Sequence, residues 1–166
     1  MRQRRSKTGT AYDIRTMEKL LKDTLKGGKF EDVSPTHSKR MSAVKWRGNR
    51  TTERRLRSAL ARAGIRGWKL HPRGLPGNPD FFFPAQKVAI FVDGCFWHGC
   101  PKCGHIPSKN NAYWSTKILR NQQRDAEKAR LLRASHVRVL RFWEHEIQGD
   151  LGRCVKAIDK ATNSQG

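Results

Sequence analysis

Five apolar residues in a row, Val88-Ala89-Ile90-Phe91-Val92, closed by Asp93, constrain this chain more than any other stretch. A run that does not alternate with polar residues suits a strand covered on both faces, so it demands a sheet with packing layers above and below. Asp80-Phe81-Phe82-Phe83 reads as a second strand, and the turn Pro84-Ala85-Gln86-Lys87 is short enough to make the two antiparallel neighbours. His136 to Phe142 reads as a third strand. Helices are predicted from Thr52, which can act as cap, to Gly64, from Asn111 to Ala134, and from Leu151 to Ala161. These elements belong to the α/β class.

Ahead of them, Ile14, Met17, Leu21 and Leu25 recur at helical spacing and stop at Gly27-Gly28, with Ser34-Pro35 soon after. Residues 1–33 are therefore expected to be a basic, partly helical extension, with residues 34–166 forming the main domain.

Charge narrows the partner. The 166 residues carry 35 Lys+Arg against 14 Asp+Glu, a formal charge of +21. Such a balance predicts a polyanionic partner, because each basic group placed on a phosphate releases condensed counterions. Five Trp and seven Phe supply enough apolar material for a core, which argues against a disordered basic tail. No apolar run approaches the roughly 20 residues that span a bilayer, and the basic start lacks the apolar stretch of a secretory signal. The protein is expected in the cytoplasm, where Cys100-Pro101-Lys102-Cys103 favours metal ligation or free thiols over disulfides.

Several residues can carry chemistry. Asp80 follows a Gly/Pro-rich turn at the mouth of an apolar strand, where a carboxylate can hold Mg²⁺ or simply cap its own loop. Asp93 ends the neighbouring strand, so the two carboxylates are expected to approach the same ion. Between Asp93 and Cys103 lie Phe96 and Trp97, costly to expose unless they pack in the core or wedge between bases. His98 is a candidate proton acceptor near a metal. Cys100 and Cys103 have the spacing of a zinc knuckle and need two more ligands, with His105, Asp125, His136, His145 and Cys154 available. On the long helix Trp114, Lys117, Asn121 and Asp125 share one face.

Taken in order, the phrases Ser38-Lys39-Arg40-Met41, Glu53-Arg54-Arg55-Leu56, Pro76-Gly77-Asn78-Pro79-Asp80-Phe81, Asp93-Gly94-Cys95-Phe96-Trp97-His98-Gly99-Cys100, Tyr113-Trp114-Ser115-Thr116-Lys117-Ile118, Asn121-Gln122-Gln123-Arg124-Asp125 and Trp143-Glu144-His145-Glu146 resemble the Vsr family, the very short patch repair DNA mismatch endonucleases. The resemblance implies a restriction-endonuclease-like mixed central sheet flanked by helices, with a structural zinc site. By the same resemblance Asp80 matches a catalytic metal-binding aspartate, Val92 offers its backbone carbonyl to the same Mg²⁺, His98 matches the histidine that activates water, and Glu53 matches a glutamate supporting the metal-bound water. Cys100, Cys103, Asp125 and His145 match the zinc ligands, with His105 an alternative to Cys103. Phe96, Trp97 and Trp114 match residues that intercalate beside a mismatch, Met41 approaches from the other groove, and Lys117 and Asn121 lie near the mispair. Asp93 stands where a known member has a second active-site histidine. It can bind metal but cannot donate a proton unless protonated.

The function implied is a Mg²⁺-dependent endonuclease that nicks one strand of double-stranded DNA beside a T·G mismatch, starting repair of deaminated 5-methylcytosine. It would act as a monomer in the bacterial cytoplasm, at the nucleoid, with mismatch-repair proteins as a further class of partner and no membrane. A nickase of broader mismatch or sequence specificity, and a catalytically idle zinc-stabilised DNA-binding protein, are the competing readings.

Overall fold

The computed structural model describes residues 52–163 together with Thr16, Lys19, Leu21 and Asp23. Those four are helical, with Leu21 buried and the other three exposed, in keeping with the apolar spacing around them. The boundary expected near residue 33 and the Met41 assignment lie outside the described residues.

The elements run α1 (Glu53–Arg62), β1 (Lys69–Leu70), β2 (Phe81–Phe83), β3 (Val88–Asp93), α2 (Asn111–Ala134), β4 (Arg138–Trp143), α3 (Glu144–Gly149) and α4 (Leu151–Asn163). The four strands form one sheet in the order β1-β2-β3-β4. The first two pairs are antiparallel, and β3 pairs with β4 in parallel. This is a mixed sheet, and α2 is the crossover that lets β4 return parallel to β3.

The apolar run of β3 is covered on both sides, as its lack of alternation predicts. Val88 and Ile90 pack with Leu56 and Leu60 of α1 and Cys154 and Ile158 of α4. Ala89 and Phe91 pack with Leu132 of α2 and with Val137. Each such fully buried aliphatic or aromatic side chain contributes about 1.5–3 kcal/mol relative to exposure, so the two layers hold β3 as the rigid centre of the molecule. Its far end, Asp93, is thereby fixed in space.

Helix α1 ends as its sequence suggests. Gly64 adopts φ +74, which lets the Gly64 N–H reach the Ala61 carbonyl at 3.2 Å and the Ile65 N–H reach that of Leu60 at 3.0 Å. This closes the orphan carbonyls of the last turn and buries Ile65 in the same cluster as Leu60. At the other end the expected cap is missing: the Thr52 side chain makes no capping bond. Among the described residues no helix is long and apolar enough to cross a membrane.

Candidate active site and metal centre

Three groups of chemistry-bearing side chains lie at the ends of β1, β2, β3 and β4. The first is set by the β2–β3 hairpin. Its register pairs Phe81 with Ile90, which brings Asp80 beside the Val92 peptide, and the Val92 N–H donates to Asp80 Oδ2 at 2.7 Å. Glu53, buried in the first turn of α1, accepts a bond from His71 Nε2 at 3.0 Å. One ligand atom from each of Glu53, His71 and Asp80 lies within 4.8 Å of the other two. Burial pushes the Asp80 carboxyl up to about 6; the Val92 bond opposes this, and the Glu53 charge adds to it. Two carboxylates crowded together out of water make a site that gains from a divalent cation, and oxygen donors of this kind suit Mg²⁺.

The second group sits on the α2 side of the sheet. Strand alternation puts Asp93 on the same face as Ala89 and Phe91, so it meets Arg141 of β4 and Asp125 of α2. Arg141 donates to both Asp93 oxygens, at 2.6 and 2.7 Å, and approaches Asp125 at 3.2 Å. Its guanidinium lies 4.9 Å above the Phe91 ring. His98 Nδ1 is bonded to Asp125 Oδ2 at 2.5 Å and lies 4.0 Å from Asp93. Burial alone lowers the His98 pKa, but the Asp125 hydrogen bond and the Asp93 charge outweigh it and the net shift is upward. Asp125 moves the opposite way: burial raises it, and His98 and Arg141 bring it below the usual carboxylate range.

This arrangement corrects one expectation. Asp80 and Asp93 fall in different clusters: Asp80 groups with Glu53 and His71, while Asp93 groups with His98 and Asp125, and the Asp93 charge still reaches Asp80. The bidentate fork of Arg141 engages both Asp93 oxygens in charge-assisted hydrogen bonds. Asp93 is therefore tied to Arg141 at the edge of the His98–Asp125 pair. Sequence reasoning missed Arg141, because a basic residue in the strand Arg138-Val139-Leu140-Arg141-Phe142 reads as solvent-facing.

The third group is Cys95, Cys100, Cys103 and His145, whose ligand atoms all lie within 4.8 Å of one another. His145 Nδ1 is 3.3 Å from the Cys95 sulfur, 3.6 Å from that of Cys100 and 3.4 Å from that of Cys103. The Cys100 and Cys103 sulfurs are 3.7 Å apart. A tetrahedral zinc with Zn–S near 2.3 Å and Zn–N near 2.0 Å requires edges of roughly 3.8 Å between sulfurs and roughly 3.5 Å from sulfur to nitrogen. The donor set and its spacing fit that ion.

Here the structure departs from the expected ligand set: Cys95 stands where Asp125 was expected, and Asp125 is committed to His98 and Arg141. The loop makes this possible by folding on itself, with Cys100 N–H on the Cys95 carbonyl at 2.9 Å and Gly104 N–H on that of Cys100 at 2.8 Å. A Cβ on Gly104 would sit 2.5 Å from the Cys100 oxygen, so only glycine closes the turn. His105, the alternative to Cys103, instead faces the Phe96 ring at 6.1 Å. The signal for Cys95 was present as a third cysteine five residues before Cys100.

Helix α2 anchors the loop from the other side. Asn121 Nδ2 donates to the Trp97 carbonyl at 2.8 Å, and Gln122 Nε2 to that of His98 at 3.1 Å. Phe96, Trp97 and Trp114 form one half-buried cluster, with ring centroids 5.1 to 5.9 Å apart. Beside it opens a cleft of about 1190 Å³ whose walls include Trp97, His98, Lys117, Asn121, Arg124 and Lys128. Partial burial, together with Arg120 and Arg124, lowers the Lys117 pKa, a sign of concentrated positive potential along this face.

Known proteins similar to this chain are a DNA mismatch endonuclease and nicking enzymes. The family model for the DNA mismatch endonuclease Vsr matches residues 32–103. The type II nicking enzyme V.NaeI of Lentzea aerocolonigenes is 44% identical over 113 residues, covering 66% of this chain and 68% of that protein. The type II nicking enzyme V.NmeDIP of Neisseria meningitidis serogroup C is 32% identical over 140 residues, 82% of this chain and 93% of that one. The DNA mismatch endonuclease Vsr of Escherichia coli K12 is 34% identical over 116 residues, 69% and 72% of the two chains. Identity at this level over more than two thirds of a mismatch endonuclease goes beyond shared composition, and the chain belongs to the Vsr family of DNA endonucleases.

Proposed function

We propose that this protein nicks one strand of a DNA duplex beside a T·G mismatch in a Mg²⁺-dependent reaction, on a restriction-endonuclease-like scaffold extended by a basic arm at residues 1–33. The observation that carries the reading is the His98–Asp125 dyad, bonded at 2.5 Å, in the wall of a basic cleft beside the cluster of Phe96, Trp97 and Trp114. A proton acceptor, basic side chains and stackable rings meet there.

The steps follow from the groups. Lys117, Arg124 and Lys128 draw the phosphate backbone into the cleft. The aromatic cluster wedges into the base stack, which costs less at a mispair than at a Watson–Crick pair, so insertion selects the site before cutting. Asp125 holds the imidazole by Nδ1, which leaves Nε2 to take a proton from the attacking water. Asp80, with the Val92 carbonyl and Glu53, would hold Mg²⁺, which when bound supplies charge stabilisation at the scissile phosphate and lowers the pKa of water. Arg141 fixes Asp93 and Asp125 in place, and Asp93 itself takes up the position that a second histidine occupies in a known member. Zinc, held by Cys95, Cys100, Cys103 and His145, would serve only to tie the aromatic loop to the start of α3. One such site suffices to cut one strand, in keeping with a monomer acting on cytoplasmic DNA.

Several relatives are type II nicking enzymes, which favours a second reading in which a sequence motif and not only a mispair is selected. A nicking assay over all mismatches in several sequence contexts, with and without Mg²⁺, tests both. The proposal expects a single nick on T·G duplexes, and only when Mg²⁺ is present. Equal cutting of matched duplexes would favour the second reading, and no cutting of any duplex would leave a DNA-binding protein.

A further inference from the structure

The imidazole of His71 has no part in the steps above, yet the fold makes an unusual effort to aim it. His71 follows the two-residue strand β1 and precedes Pro72, a position that pushes a residue toward extended backbone. It nevertheless adopts φ +43, in the left-handed region that a residue with a Cβ enters at a cost. Its backbone N–H still donates to the Asp80 carbonyl at 3.1 Å, so β1 and β2 stay joined up to the site. The left-handed turn takes the ring out of the strand and onto Glu53 Oε1, at 3.0 Å. Three separate segments, the start of α1, the end of β1 and the mouth of the hairpin, thus bring one nitrogen donor and two carboxylates within 4.8 Å of one another.

We infer that His71 is a third protein ligand of the catalytic divalent cation, set with Asp80 and Glu53 around a single ion. This deepens the reading of Asp80 as the metal-holding carboxylate and rests on it. The consequence is a metal preference. Mg²⁺ takes oxygen ligands and keeps its waters, whereas Mn²⁺ accepts an imidazole nitrogen beside carboxylates. A mixed nitrogen–oxygen site binds Mn²⁺ more tightly than Mg²⁺, and loses that preference when the nitrogen is removed. The alternative role for His71, a hydrogen-bond donor that only orients Glu53, predicts no nitrogen bonded to the ion.

Mn²⁺ binding to the protein as purified, followed by electron paramagnetic resonance, separates these roles without any turnover. The inference expects ¹⁴N hyperfine coupling on the bound Mn²⁺ of the unmodified protein, changed to a ¹⁵N pattern by ¹⁵N-histidine labelling. His71→Gln should abolish that coupling and weaken Mn²⁺ binding roughly 10- to 100-fold, with a smaller effect on Mg²⁺ measured by competition. Asp80→Asn, run in parallel, should remove the tight Mn²⁺ site altogether. If Asp80→Asn abolishes binding while His71→Gln retains both affinity and the nitrogen signal, His71 is no ligand and the Asp80 reading stands. If Asp80→Asn binds Mn²⁺ as the unmodified protein does, the Asp80 reading falls and this inference with it. Should His71→Gln fold poorly, the unmodified protein still tests the inference, because bound Mn²⁺ without nitrogen coupling overturns it.

Discussion

Replacing Asp80 by Asn should stabilise the protein while destroying the site, and the size of the effect follows from the burial of that carboxylate. Its pKa stands at about 6 in the folded chain against an ordinary 3.8, with burial as the main cause. A tenfold change in a protonation equilibrium is worth about 1.4 kcal/mol, so keeping the buried carboxylate charged costs roughly 3 kcal/mol. The folded state keeps the Asp80 proton between pH 3.8 and about 6, where the unfolded chain has already lost it. Stability from this group is therefore fully present below that window, falls as pH rises through it, and stays low above it. Asn removes the charge and keeps an oxygen that can accept from the Val92 N–H. Without Mg²⁺, urea or thermal melts at about pH 8 should show Asp80→Asn more stable by up to about 3 kcal/mol, with no advantage at about pH 4. Saturating Mg²⁺ should close most of that gap by stabilising only the parent protein, by about 2.7 kcal/mol at a hundredfold excess over Kd. An equal advantage at both pH values, or a variant that still gains stability from Mg²⁺, would refute the reasoning.

Three further outcomes are expected. Cys95→Ser should lose bound zinc by elemental analysis while Asp125→Asn retains it; the reverse result would restore the ligand set first read from the sequence. Arg141→Met should destabilise the fold by about 3–5 kcal/mol, because it leaves Asp93 buried without its partner, and the double variant with Asp93→Leu should recover most of the loss in chemical melts. Trp97→Ala should weaken binding to a T·G duplex by about 1–3 kcal/mol in a fluorescence anisotropy titration and leave binding to a matched duplex nearly unchanged. Equal losses on both duplexes would place Trp97 in the core and not in the wedge.

The elements legible in the sequence are those whose own residues decide them. Val88 to Val92 has no polar alternation, which suits a covered strand, and Asn111 to Ala134 is a long run without Gly or Pro to break a helix. Lys69–Leu70 is a strand only because Phe81 and Phe82 pair with it, and Glu144–Gly149 is too short to show a period. The same division runs through the site. The shared face of Lys117, Asn121 and Asp125 was readable from spacing, and all three line the cleft. Which group Asp125 joins was not, because spacing along one helix says nothing about where a distant loop folds. Cys95 escaped because the pair Cys100 and Cys103 completed a familiar spacing without it. Arg141 and His71 escaped because their partners, Asp93 and Glu53, lie 48 and 18 residues away in the chain. Contacts of that span are products of how strands and helices pack, which spacing along the chain does not encode.

The most direct test of the proposed activity is single-turnover cleavage of a T·G duplex labelled on either strand, comparing the unmodified protein with Asp80→Asn at equal zinc content. The expected result is a nick in one strand only, dependent on Mg²⁺, absent from the matched duplex and abolished in the variant. Cleavage that survives Asp80→Asn, or that treats matched and T·G duplexes alike, would contradict it.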